Sequence, residues 1–186
     1  MKHTLLILLC LLSLALPLSA QAPAGPIGIE GLEAGLTTAI PFGDFADVAG
    51  FGIGAQARLP IHVKTVPGLV LRPQAGLLFY SSPLSTVAGI MTLKLDAAAG
   101  WIFPVTDAIT VTPTLAYGAL FHLALLDSPS FFMDSGFTLA VEGTYALNDD
   151  IDIYLEPGYQ FFLEEGTAGH QLVINAGVAL ALGGGR

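Results

Sequence analysis

Beyond its first twenty-odd residues, the chain repeats one unit about eight times: a run of roughly ten residues in which apolar positions alternate with polar or small ones, then a turn. Successive side chains of a strand point to opposite faces, so each run has one apolar and one polar face. In 109–123, Ile109, Val111, Leu115, Tyr117, Phe121 and Leu123 oppose Thr110, Thr112, Thr114, Gly118 and His122. In 151–161, Ile151, Ile153, Leu155, Tyr159 and Phe161 oppose Asp152, Glu156, Gly158 and Gln160. Hydrocarbon tolerates no unpaired backbone N–H or C=O, so only helices and closed barrels span it. The strand repeat selects the barrel.

Composition agrees. The chain is 53% hydrophobic with a mean hydropathy of +0.71. Past the N-terminus, charged and polar residues interrupt every apolar stretch before it reaches the length of a spanning helix. Residues 1–20 read as a secretory signal peptide: Lys2 and His3, an apolar stretch over 4–16, then Pro17-Leu18-Ser19-Ala20. Cys10, the sole cysteine, falls inside that stretch, so the exported chain carries no thiol. Residues 21–27 form an expected linker, 28–182 the barrel and 183–186 a tail. The formal charge is −9, and −10 once Lys2 is removed, which argues against a nucleic-acid partner.

The expected fold is all-β: an antiparallel up-and-down transmembrane barrel with strands over 28–40, 50–61, 68–80, 86–101, 108–123, 136–147, 151–162 and 169–182. An even count puts both termini at one end. The connections at that end are short, at 62–67, 104–107 and 148–150. Those at the other end are 41–49, 81–85, 124–135 and 163–168. Aromatic residues near strand ends, among them Phe42, Phe79, Tyr80, Trp101, Phe137, Phe161 and Phe162, fit girdles at two interfaces. Within the longest connection, Phe131, Phe132 and Met133 form a candidate outward-loop contact.

The polar face carries the candidate site. Glu33, Gln56, Arg58, Arg72, Gln74, Lys94, Asp96, Glu142, Glu156, Gln160 and Asn175 all point inward by alternation. Eight strands enclose a space that side chains fill. Charges packed there must pair, because an isolated buried ion costs several kcal/mol. The set reads as a salt-bridged plug, or as a narrow polar path whose pairs rearrange. A soluble carrier with the same strand count would face its apolar side inward. Pro73, Pro113 and Pro157 fall on the outward face, as kinks or as weakened seams.

Catalysis is disfavoured. A rim triad of His122, Ser130 and Asp127 is the best available, without a nucleophile-elbow pattern. The sequence holds no His/Cys cluster of metal-ligand spacing and no phosphate-binding loop. The expected cofactor is none.

Across the mature chain the repeat resembles small bacterial outer-membrane barrels of the OmpA, OmpX and OmpW type. Pro41-Phe42-Gly43-Asp44-Phe45-Ala46-Asp47 followed by Gly50-Phe51-Gly52-Ile53-Gly54 is similar to the first loop and second strand of porin-like barrel domains. The resemblance implies residence in the bacterial outer membrane, export by the Sec route, and outer-membrane lipid and the barrel-insertion machinery as partners. Its OmpW branch implies lateral passage of small hydrophobic solutes. Such barrels usually finish on an aromatic residue, whereas this chain reads Leu180-Ala181-Leu182-Gly183-Gly184-Gly185-Arg186.

Overall fold

The computed structural model describes residues 27–29, 31–84, 86–126, 129–164 and 167–182. The expected signal peptide, the linker up to residue 26 and the tail lie outside them. Eleven strand segments form one antiparallel sheet: β1 (Ile27–Ile29), β2 (Gly31–Phe42), β3 (Gly52–Arg58), β4 (Ile61–Val63), β5 (Leu69–Tyr80), β6 (Ile90–Trp101), β7 (Phe103–Pro104), β8 (Ile109–Ala124), β9 (Ser130–Ala146), β10 (Ile151–Glu164) and β11 (Thr167–Ala181). Segments β1 with β2, β3 with β4, and β6 with β7 are interrupted staves, which leaves eight. Pairing of β11 with β2 closes the barrel.

A circuit over paired residues that leaves β8 at Phe121 passes Leu77, Leu36 and Leu155. It returns to β8 at Val111, ten residues nearer the strand's start. That offset sets a strand tilt of about 40°. A 12-residue strand such as β5 then rises roughly 30 Å, the thickness of a bilayer's hydrocarbon.

The faces fall as alternation predicts. Leu36, Leu115, Leu139 and Leu155 are 64%, 50%, 62% and 54% exposed on the outer wall. Inside, Thr112, Glu142 and Gln160 are buried. The apolar side is therefore outside, the reverse of a soluble carrier. Pro73, Pro113 and Pro157 also face outward. Beside each, the ladder on one flank skips two pairs and resumes in the same register: from Arg58↔Gln74 to Ile61↔Leu71, from Gly100↔Thr114 to Phe103↔Val111, and from Leu155↔Gly143 to Gly158↔Ala140. A proline has no N–H to donate, so each gap is a local break in the hydrogen-bond ladder, with the register kept on either side.

Three expectations change. The sixth strand begins at Ser130, and the connection before it covers only 125–129. Phe131, Phe132 and Met133 thus lie in β9, opposite Leu123, His122 and Phe121, rather than in a loop. The fourth strand begins at Ile90, so the preceding connection lengthens to 81–89. Tyr80 and Phe162 are buried inside the barrel and do not belong to an outer girdle. Phe42, Phe79, Trp101 and Phe137 do face outward.

Candidate functional site: the luminal charge cluster

The start of β1, the end of β11 and the connections 64–68, 105–108 and 147–150 share one end of the barrel, here the terminal end; the other is the loop end. Nearer the terminal end, five inward charges from different staves meet. Register brings Arg58 opposite Glu33, and Arg72 follows on the adjoining stave. Glu142 and Glu156 reach in from β9 and β10 across the lumen. Arg58 places its Nε 2.7 Å from Glu33, its Nη2 2.6 Å from Glu142 and its Nη1 2.9 Å from Glu156. The Arg72 Nη2 donates to Glu142 at 2.7 Å, and its Nε stands 3.7 Å from Glu33. Asn175 donates to the other oxygen of Glu156 at 2.8 Å.

Arg58 and Glu142 are each 1% exposed. Such ions lose several kcal/mol of hydration apiece, which only close, multiple pairing offsets. The guanidinium fork supplies that pairing, since each nitrogen of Arg58 meets a different carboxylate. Its face also covers the Tyr154 ring at 4.1 Å, a cation–π contact. Gly35 and Gly177 make room for that ring, because a Cβ at either would collide with the Tyr154 hydroxyl.

The other expected residues divide. Lys94 and Asp96 pair with each other at 2.8 Å, apart from the cluster. Gln74 sits in register between Arg58 and Asp96. Gln56 is buried opposite Gly35. Gln160 donates to Thr138 at 3.2 Å and accepts from Gln171, which in turn accepts from the Tyr80 hydroxyl at 2.9 Å. Thr138, Gln171, Tyr80 and Tyr154 were absent from the expected network, although all keep the inward phase of their strands.

Toward the loop end the lumen turns apolar. A short 3-10 turn, Gly43–Asp47, folds Phe45 inward to 2% exposure. Its ring stands edge-on to Phe162 at 4.9 Å and to Tyr80 at 5.6 Å. Leu78, Ile90, Leu120 and Val173 complete this cap. His122 lies beneath it, 2.7 Å from Thr92 and 3.2 Å from Asp134, with Phe132 stacked on its ring. In the register of β8 and β9, His122 faces Phe132 while Ser130 faces Ala124 at the strand end, so the structure does not pair the two as a rim triad requires; Asp127 lies outside the described residues. Among the described residues, no three His, Cys, Asp or Glu side chains gather as a metal site.

No protein-family model and no curated protein matches the chain. Solved structures do. Neisserial surface protein A is 14% identical with a TM-score of 0.65, over 84% of this chain and 99% of that one. Ail, the attachment invasion locus protein of Yersinia pestis, is 9% identical with a TM-score of 0.55, over 82% and 99%. The N-terminal β-barrel domain of Pseudomonas aeruginosa OprF is 12% identical with a TM-score of 0.54, over 82% and 99%. At these identities the likeness is one of fold, and the chain has the fold of the small eight-stranded outer-membrane barrels.

Proposed function

We propose that the protein is a non-enzymatic structural barrel of the bacterial outer membrane, with a lumen held shut by its own side chains. One observation carries this reading: the charges of Arg58, Arg72, Glu33, Glu142 and Glu156 are spent on one another across the lumen, while Phe45 fills the loop end. A conducting path needs polar groups free to replace an ion's water. Outer-membrane lipid and the barrel-insertion machinery are the partners of such a barrel. The test is conductance of the refolded mature chain in a planar bilayer, with insertion verified by protease protection. An inserted, silent protein supports the reading. Small, discrete, ion-selective steps overturn it in favour of a narrow channel.

The ladder gaps beside Pro73, Pro113 and Pro157 favour a second reading, lateral passage of small hydrophobic solutes. It requires inserted protein to speed uptake of an apolar dye into vesicles.

A further inference from the structure

The outer wall has a gap in its rows of side chains. Register sets Ile109, Tyr145 and Ile153 side by side across β8, β9 and β10, and Val111, Gly143 and Leu155 in the next outward row. Gly143 brings no side chain to that row. In β2 through β11 it is the one glycine in outward phase among the described residues. A Cβ there would meet nothing nearer than the Leu155 carbonyl oxygen at 4.0 Å. The result is a groove of about 270 Å³ on the lipid-facing side, lined by Ile109, Tyr145, Ile153 and Leu155. That is less space than a whole small ligand occupies, so the groove fits one arm of a larger molecule.

Lipid tails are as apolar as leucine, so a groove in this wall gains packing from a chain but no selectivity. Selectivity comes from the headgroup level. Tyr145 stands one row nearer the terminal end, where tyrosines mark the edge of the hydrocarbon. Beyond it lie the turns that carry Asp107, Asp149 and Asp150, all exposed. The only exposed lysine or arginine among the described residues is Lys64, and its connection, between β4 and β5, lies on the opposite side of the barrel. Acids in turns alone specify nothing; set over an apolar groove at the membrane edge, they select its occupant. We propose that the groove seats an acyl chain of a phospholipid with a protonated amine in its headgroup, of the phosphatidylethanolamine type, in the leaflet at the terminal end. The ammonium meets the turn carboxylates, and the Tyr145 hydroxyl donates to the lipid phosphate. An anionic headgroup is repelled by the same carboxylates. The inference rests on the outer wall facing lipid, as the proposed membrane barrel requires.

The refolded mature chain is inserted into vesicles of equal parts phosphatidylethanolamine and phosphatidylglycerol with identical acyl chains. Protease protection verifies insertion, and native mass spectrometry of the released barrel reads the lipid it retains. The expected result is retained phosphatidylethanolamine in about threefold excess or more, the size of an exposed ion pair. D149N/D150N brings the two lipids to parity. Asn148 holds that turn, its side chain accepting from the Asp150 and Ile151 N–H groups at 2.9 Å, so the variant keeps its fold. G143L fills the groove and retains neither lipid, and the open space around Gly143 lets it fold. Phosphatidylglycerol retained as often as phosphatidylethanolamine overturns the proposal, as does G143L that holds lipid like the parent. A released dimer that G143L separates overturns it in favour of a second copy in the groove. These outcomes leave the membrane barrel standing; a chain that fails protease protection overturns both readings.

Discussion

Arg58→Ala removes the group that links the two sides of the lumen. In the folded barrel the change leaves Glu33, Glu142 and Glu156 with Arg72 alone, which reaches Glu142 at 2.7 Å and Glu33 only at 3.7 Å. Glu156 keeps Asn175 as its partner and loses its ion pair. Breaking a buried pair from one side costs about 3–5 kcal/mol, because an uncompensated charge stays behind. Against a typical stability of about 5–15 kcal/mol, that shifts the folded-to-unfolded ratio roughly a hundredfold or more. The assay is urea unfolding in lipid vesicles, followed by tryptophan fluorescence of Trp101, with the change in midpoint at constant slope giving the loss. Glu33→Gln is the internal control. It removes the charge of the carboxylate that stands 2.7 Å from the Arg58 Nε and 3.7 Å from the Arg72 Nε, but leaves two guanidinium groups facing two carboxylates and an amide oxygen that still accepts, so it costs about 1–2 kcal/mol, less than Arg58→Ala. A loss for Arg58→Ala below about 0.5 kcal/mol, the ordinary surface range, would refute the reasoning. So would a Glu33→Gln cost equal to that of Arg58→Ala.

Other consequences follow from the same geometry. Phe45→Ala empties the space among Phe162, Tyr80 and His122 and costs about 3 kcal/mol in the same unfolding assay; amide exchange over 43–50 accelerates with it. Thr92→Val takes a partner from the buried His122 ring and costs about 1–3 kcal/mol. On the outer wall of β9, Leu139→Arg stands at mid-height and Met133→Arg near the loop-end rim. The first costs about 2–4 kcal/mol in lipid and the second no more than about 1 kcal/mol; equal costs would contradict the assigned depth.

Alternation made the barrel, its strand count and its two faces legible, because a strand that borders lipid on one side has almost no freedom to mix residue types. The same rule selected Glu33, Arg58, Arg72, Glu142 and Glu156. It could not say that they meet while Lys94 and Asp96 keep to themselves, since partners across a lumen depend on strand tilt and side-chain reach. Tyr80 and Phe162 show where a compositional habit competed with phase. Both are aromatic and near strand ends, yet both fall in step with the inward residues Leu78 and Gln160. Strict phase identifies them as luminal. Phe131-Phe132-Met133 masked a strand because three bulky apolar residues in a row erase the period; pairing with Phe121, His122 and Leu123 restores it. Phe45 sits in a connection, where no periodicity exists to reveal an inward turn.

The most direct test of the account is a scan of single cysteines across β8. The mature chain, expected to be free of cysteine, supports it without background labelling. Each position from Ile109 to Leu123 carries a fluorophore in vesicles that contain brominated lipid. The account predicts strong quenching at odd positions such as Leu115 and Tyr117, and little at Thr112, Thr114 and Ala116. Quenching that follows no period of two, or that favours the even positions, would contradict a lipid-facing apolar wall around a polar lumen.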